Sequence, residues 1–439
     1  MSEPCFFYKK NDKLEYMKVY FIGIGGIGVS ALAQYYLAKG HEVSGSDLVA
    51  SEITEALKQK GVIFGVPEHP DLVVYSPAVK KDNPELKKFL DAKIKCQSYP
   101  EALGDLTKEY FTIAVSGAHG KSTTTAMIAL ILMAAGLDPT VIVGTKLEEF
   151  GGSNFRAGKG RFLVIEACEY DSSFLNYSPK IIVVTNVDKE HLDYFKTFEN
   201  VKKAFADFIV RLPADGFLVF NKDNKHIPKI KNSKFKSAGY SLKQKEFIKI
   251  KRLLQVPGQH NISNALAALQ VARIMSIPDI ISFKALSEFH GTWRRFEIKQ
   301  GKANGKEITV VSDYAHHPSE ILATLKAARE KFSEEKILCV FQPHQHQRTF
   351  YLFNDFVKTF RKSKIDQIII TDIYDVAGRE IKTINEEVSS EKLVKKINRK
   401  NVVYMPLDKI EELIKANIKD GEVLIIMGAG DIYKLGDKF

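Results

Sequence analysis

The segment Gly117-Ala118-His119-Gly120-Lys121-Ser122 joins an apolar run, Phe111 to Val115, to a helical pattern. Its residue types suit phosphate chemistry. Glycines let backbone N–H groups approach an anion, and a helix N-terminus favours negative charge. Lys121 supplies a cation for the β and γ phosphates of ATP, and Ser122 a hydroxyl for Mg²⁺. Two residues separate the glycines, where the usual phosphate loop has four. The hydroxyl run Ser122, Thr123, Thr124 and Thr125 is a poor helix former, so a metal and phosphate role explains it better than stability does.

A second glycine loop lies nearer the start. Gly23-Ile24-Gly25-Gly26-Ile27-Gly28 follows the apolar run Val19 to Ile22 and opens a helical pattern. That is the context of a dinucleotide fingerprint, and Asp47 lies about 20 residues on, where an acid meets a ribose. The chemistry specifies only a diphosphate, so NAD and a UDP-sugar both satisfy it. A tight turn without a ligand is the bland alternative.

Other polar residues stand where strands end. Glu166 follows Phe162 to Ile165, and Cys168-Glu169-Tyr170-Asp171 follows it. A carboxylate at the C-terminal end of a parallel strand faces the ligand crevice and could hold Mg²⁺. His191 lies in the loop Asn186-Val187-Asp188-Lys189-Glu190-His191 after another apolar run. Asp313-Tyr314-Ala315-His316-His317 and Pro343-His344-Gln345-His346-Gln347-Arg348 are further strand-end loops. The second carries several potential cations and suits a carboxylate ligand. Each of these, taken alone, also reads as a solvated loop.

The elements that must position these residues alternate. Strand runs occur at Val19–Ile22, His41–Ser46 and Leu72–Tyr75, with helical patterns between them. A polar stretch, Gly104 to Glu109, reads as a linker. Further strands are expected at Phe111–Val115, Thr140–Val143, Phe162–Ile165, Ile181–Thr185 and Phe217–Phe220, and a long helix at Asn261–Met275. A third set follows at Ile308–Val311, Ile337–Phe341, Gln367–Thr371 and Val423–Met427. This alternation predicts an α/β protein of three domains with parallel sheets.

The 439 residues exceed one ordinary core. No stretch approaches the roughly 18–20 apolar residues of a membrane span, and Met1 to Asn11 lacks the apolar core of a signal peptide. A cytoplasmic protein is expected, with no membrane partner. Cys5, Cys96, Cys168 and Cys339 form no close metal-ligand pair, and Cys168 reads as a small buried hydrophobe. The net charge of +11 comes from scattered lysines. It suits nucleotides, and no motif for nucleic acid accompanies it.

Taken together, the motifs resemble the Mur ligases of bacterial cell-wall synthesis. The marks are Gly-Ile-Gly-Gly-Ile-Gly at Gly23, Ser-Gly-Ser-Asp at Ser44, Gly-Ala-His-Gly-Lys-Ser-Thr-Thr-Thr at Gly117, and Glu-Ala-Cys-Glu-Tyr-Asp at Glu166. They continue with His-Asn-Ile-Ser-Asn-Ala at His260, Arg-Arg-Phe-Glu at Arg294, Asp-Tyr-Ala-His-His-Pro at Asp313, Phe-Gln-Pro-His at Phe341 and Met-Gly-Ala-Gly-Asp at Met427.

The resemblance implies a Rossmann-like UDP-substrate domain (1–107), a central P-loop ATPase-like domain (108–297) and a Rossmann-like amino-acid domain (298–439). It implies ATP, UDP-N-acetylmuramate and L-alanine as substrates, Mg²⁺ as cofactor at two sites, and an acyl phosphate made and consumed in peptidoglycan synthesis. The phosphates belong to Gly117, Ala118, His119, Gly120, Lys121, Ser122 and Thr123. Ser122 resembles a first Mg²⁺ ligand, and Glu166 and His191 the ligands of a second. Asn261 and Asn264 resemble adenine readers, Arg295 an ATP contact and Asp313 a ribose holder. His316 and Arg348 resemble carboxylate-binding residues. Gly23, Gly25, Gly26, Gly28, Asp47, Ser76 and Ala78 resemble UDP-substrate contacts.

Gln345 stands where many relatives have arginine, which leaves selectivity among L-alanine, glycine and L-serine open. Members that re-attach a whole tripeptide also carry Glu-Tyr at the position of Glu169-Tyr170. A catalytically silent regulator would predict damage at Lys121, Glu166 or His191, and all three are intact.

Overall fold

The computed structural model describes residues 16–229, 233–375 and 387–439. Cys5 and the stretch Met1 to Asn11 lie outside them. The chain is α/β with three sheets. The first holds β1 (Lys18–Ile22), β2 (Glu42–Ser46), β3 (Ile63–Phe64), β4 (Leu72–Tyr75) and β5 (Cys96–Ser98), in the order β3-β2-β1-β4-β5. All its pairings are parallel.

The second sheet holds β6 (Phe111–Ser116), β7 (Thr140–Leu147), β8 (Ser153–Arg156), β9 (Phe162–Glu166), β10 (Ile181–Val184), β11 (Phe217–Asn221) and β12 (Lys236–Tyr240). Its order is β12-β11-β10-β6-β9-β7-β8, with β8 antiparallel at the edge. The third holds β13 (Glu297–Ala303), β14 (Lys306–Asp313), β15 (Ile337–Phe341), β16 (Gln367–Ile370), β17 (Val402–Tyr404) and β18 (Val423–Met427), ordered β13-β14-β18-β15-β16-β17.

Burial on both faces explains why these strands read as continuous apolar runs. In the third sheet Val311, Cys339, Phe341 and Ile425 join the core on one face, and Val310, Leu338, Val340 and Leu424 the core on the other. Successive side chains alternate, so each run supplies both cores. The antiparallel β13 escaped the sequence reading because only two of its seven residues, Gly301 and Ala303, are buried.

The stretch Gly104 to Glu109 is not a linker. It belongs to the helix Tyr99–Glu109, which a capping box between Ser98 and Glu101 starts. Leu103 and Leu106 bury there, and Gly104 packs against the backbone of Asn176. Polarity at Asp105, Lys108 and Glu109 belongs to the solvent side of an amphipathic helix.

The chain divides into two compact units. One gathers the described residues of Met1–Asp188, Val201–Glu246 and Asn264–Ser287, and contains the first two sheets. The other gathers Lys189–Asn200, Phe247–Ser263 and the described residues of Glu288–Phe439, with the third sheet. No helix among the described residues is long and apolar enough to cross a membrane.

Candidate active site

Strand order assembles the loop Gly117 to Ser122. β6 lies between β9 and β10, parallel to both, so the three C-terminal ends share one edge. That edge carries Gly117 to Gly120, Glu166, and the loop beginning at Thr185. Gly120 adopts φ +82 at the start of the helix Lys121–Ala134, and a Cβ there would meet Asn264 Oδ1 at 2.5 Å. Only glycine meets both demands.

Thr185 and Asn186 tie the loop down. His119 N donates to Asn186 Oδ1 at 2.9 Å, and Thr185 Oγ1 donates to His119 O at 2.6 Å. Ala118 N donates to Asn186 O at 3.2 Å. His119 Nε2 lies 3.2 Å from Asp188 Oδ2. Spacing gave no hint of this second strand-end clamp, although Asn186 lay in a loop already noted.

Lys121 Nζ donates to Gly117 O at 2.6 Å and to Ala118 O at 3.2 Å. It also lies 3.0 Å from Oε2 of Glu169, whose side chain has no exposed surface. Burial would lower the lysine's affinity for its proton, but Glu169 and its neighbours more than offset this and raise it. Lys121 is therefore a fixed cation. Ser122 and Thr123 are buried at the helix start. Thr124 and Thr125 turn inward instead, fully buried, with hydroxyls that take no hydrogen bond. Of the hydroxyl run, the first two alone remain candidates for ligand contact.

Glu166 ends β9 and accepts a hydrogen bond from Gly144 N through Oε1. Ser122 and Glu166 are oxygen donors of the kind Mg²⁺ takes, beside a fixed cation and a backbone cradle. This donor set fits a magnesium-bound triphosphate. His191 belongs to the other unit, with φ +55 at the start of the short helix Leu192–Phe195.

The first glycine loop is closed by its own neighbours. Gly23 N and Ile24 N donate to Ser46 O, and Gly25 N donates to Asp47 Oδ2 at 2.7 Å. A Cβ on Gly28 would lie 2.9 Å from the Tyr99 ring, so close packing requires this glycine. Ser76 N donates to Ile22 O, and Ala78 N donates to Ser76 Oγ at 3.3 Å. Gly26 has no such close neighbour. β2, β1 and β4 thus bring all the expected UDP-substrate residues to one edge, with Asp47 folded onto the loop.

In the second unit β14, β18 and β15 are adjacent and parallel. Their ends gather Asp313, the loop after Met427, and Pro343 to Arg348. Asp313 is buried, and both of its carboxylate oxygens accept hydrogen bonds. Oδ1 accepts from Ala315 N at 2.8 Å and Thr324 Oγ1 at 3.2 Å, and Oδ2 accepts from Phe296 N at 2.8 Å. Its carboxyl is pushed up by burial, against Arg295 and these donors. Arg295 lies over the Tyr314 ring and 3.8 Å from Glu320. Arg294 is buried under Trp293, Tyr314 and Tyr433 and donates to Gly428 O and Gly430 O.

Asn261 Nδ2 donates to Pro257 O at 2.7 Å. Asn264 lies in the same helix, Gln259–Ile274. His316 Nδ1 lies 3.0 Å from Tyr314 O, and burial with Arg348 nearby brings its pKa down to about 4. Arg348 Nη2 donates to Glu190 Oε1 at 2.8 Å. Its Nη1 reaches Gln345 Oε1 at 3.1 Å and His344 O at 3.3 Å. Burial would raise the Glu190 carboxyl, but Arg348 and the neighbouring histidines hold it well below the usual range. Sequence reading overlooked Glu190 and Glu169 as partners of the two key cations.

Comparisons with known proteins agree along the chain. Residues 18–111 match the Mur ligase family catalytic domain, 115–272 the Mur ligase middle domain, and 294–430 the Mur ligase glutamate ligase domain. The UDP-N-acetylmuramate–L-alanine ligase of Clostridium acetobutylicum is 40% identical over 98% of each chain. That of Acetivibrio thermocellus is 41% identical over 98% of this chain and 96% of its own. The crystal structure of the UDP-N-acetylmuramate–alanine ligase of Thermotoga maritima matches with a TM-score of 0.77 at 28% identity, over 97% of this chain and 98% of that one. A murein peptide ligase from Psychrobacter arcticus shares the fold at 23% identity, with a TM-score of 0.70 over 96% of this chain and 98% of its own.

Proposed function

The chain belongs to the Mur ligase family, and we propose that it joins L-alanine to the lactyl carboxylate of UDP-N-acetylmuramate at the expense of ATP, in peptidoglycan synthesis. The observation that carries this is the 40% identity over 98% of both chains to a ligase of that name. In this reading residues 1–107 hold the UDP-substrate, 108–297 hold ATP, and 298–439 hold the amino acid.

A carboxylate acylates an amine poorly until its oxygen becomes part of a good leaving group. The lactyl carboxylate oxygen attacks the γ-phosphorus of ATP. The bond to the β–γ bridging oxygen breaks, giving ADP and an acyl phosphate. The amine of L-alanine then attacks the acyl carbon, phosphate leaves, and the nitrogen loses a proton. The first step brings two anions together, so fixed positive charge is the main requirement.

Lys121, pinned at three points, meets that requirement without reorganising. The N–H groups of the Gly117–Gly120 loop and the helix start bind phosphate oxygens. Ser122 and Glu166 would hold magnesium, with His191 as a further ligand in the family reading, and the ion would supply additional charge neutralisation. The family reading allows two such ions. Asn261, Asn264, Arg295 and Asp313 recognise the nucleoside, and His316 and Arg348 bind carboxylate.

Phosphate release tests this, measured with ATP and UDP-N-acetylmuramate plus L-alanine, glycine, L-serine or L-Ala-D-Glu-diaminopimelate in turn. Release is expected with L-alanine, and the rates with glycine and L-serine measure the selectivity that Gln345 leaves open. Release with the tripeptide alone would establish the recycling activity instead. No release with any of them would favour a silent regulator.

A further inference from the structure

Arg348 and Glu190 form a buried ion pair, their side chains 11% and 5% exposed. Glu190 Oε1 is taken by Arg348, while Oε2 takes no hydrogen bond and has His317 Nε2 at 3.7 Å. Both residues line a cleft that opens to solvent, with Lys189, His191, Gln345 and Tyr351. A buried acceptor without a donor carries a desolvation cost.

A free α-amino acid carries both a carboxylate and an ammonium group near neutral pH. A simple carboxylate that took Arg348 for itself would displace Glu190 and leave a buried anion unpaired, which costs several kcal/mol. A zwitterion avoids this. Its carboxylate replaces Glu190 on the guanidinium, and its ammonium pairs with the carboxylate it displaced. Each charge stays matched, and the orphan oxygen gains a donor.

We propose that Glu190 receives the α-ammonium group of the incoming amino acid while Arg348 takes its α-carboxylate. The pair then selects free amino acids over plain carboxylates of the same size. This rests on the reading that Arg348 belongs to the amino-acid site. Glu190 binds and orients the amine; the ammonium group gives up one proton to solvent through the open cleft before it attacks, and the bonds formed and broken are otherwise unchanged.

L-Lactate tests the idea, because it matches L-alanine in shape and carboxylate but has a hydroxyl in place of ammonium. Phosphate release is measured against L-alanine concentration, and L-lactate is added as a competitive inhibitor. Glu190→Gln is expected to raise the KM for L-alanine about tenfold or more, the loss of one charge-assisted hydrogen bond. The KM values for ATP and UDP-N-acetylmuramate stay near wild type, and the KI for L-lactate stays level or falls.

Equal weakening of L-alanine and L-lactate would overturn the proposal, since Glu190 would then act only by holding Arg348. An unchanged KM for L-alanine would overturn it as well. Glu190→Asp keeps the charge on a shorter arm. If thermal unfolding shows the Gln variant to be misfolded, the Asp variant decides by the same comparison, with L-alanine expected to suffer more than L-lactate. Wild-type protein without L-alanine-dependent release would instead sink the amino-acid reading itself, before any variant is compared.

Discussion

Lys121 Nζ lies 3.0 Å from Oε2 of Glu169, a carboxylate with no exposed surface. The pair holds the cation beside the Gly117–Gly120 loop. Breaking a buried pair leaves its partner's charge uncompensated and costs about 3–5 kcal/mol. Glu169→Ala is expected to lose stability of that order in chemical denaturation. A non-hydrolysable ATP analogue should recover part of it, because phosphate oxygens re-pair the stranded lysine. Equal loss with and without the analogue would show that Lys121 does not meet the phosphates.

Lys121→Ala removes the cation itself. Turnover is expected to fall by about 10³-fold or more, the scale of a lost preorganised charge at a developing anion. Binding of UDP-N-acetylmuramate, followed by calorimetry, should persist. The loop at Gly23 to Gly28 is held by Ser46, Asp47 and Ser76, none of which touches Lys121. Loss of both activities together would mean that the two glycine loops serve one ligand.

His260 and His316 predict acid sensitivity. Burial comes first among the causes and a nearby arginine second, Arg295 for His260 and Arg348 for His316. Both pKa values fall from 6.5 to about 4. The unfolded chain therefore takes up these protons first as pH drops. The stability tied to the neutral rings is complete above about pH 6.5 and is lost as pH falls towards 4, on the order of 3 kcal/mol for each histidine. His260→Gln should remove about half of the fall in the denaturation midpoint across this window, with the His316 share remaining. An unchanged pH profile would show that His260 already carries a proton, or none of the burial, in solution.

Much of this was legible in the residues, and the failures share a cause. Strand-end placement followed from apolar runs and glycine loops, because parallel strands buried on both faces leave a plain pattern. The pairing partners did not. Glu169 is 48 residues from Lys121 and Glu190 is 158 from Arg348. No periodicity joins such positions. Asp47 and Asp313 were found by position, yet their carboxylates are engaged by nearby N–H groups, which residue type alone does not reveal. The run Ser122 to Thr125 as a whole points to metal and phosphate, because propensity says nothing about which side of a helix is buried; the Thr124 and Thr125 hydroxyls face inward.

Gln345 links backbone strain to the carboxylate clamp. It adopts φ +70 and ψ 128, a conformation that L-residues rarely take, and caps the helix His346–Tyr351. Its Oε1 accepts from Arg348 Nη1 at 3.1 Å. Strain of this kind costs about 1–3 kcal/mol and persists where the surroundings enforce it. Gln345→Ala keeps the backbone strain and loses the amide, whereas Gln345→Gly loses both. The Gly variant is therefore expected to be the more stable of the two by about 1 kcal/mol, after the entropy that glycine adds to the unfolded chain. Both should raise the KM for L-alanine several-fold, less than the roughly tenfold or more of a direct hydrogen bond lost to a charged group, because Arg348 keeps its ligand and loses only a partner that orients it. Equal stabilities would place the strain elsewhere in the loop, and an unchanged KM would show that Arg348 is oriented by Glu190 and His344 alone.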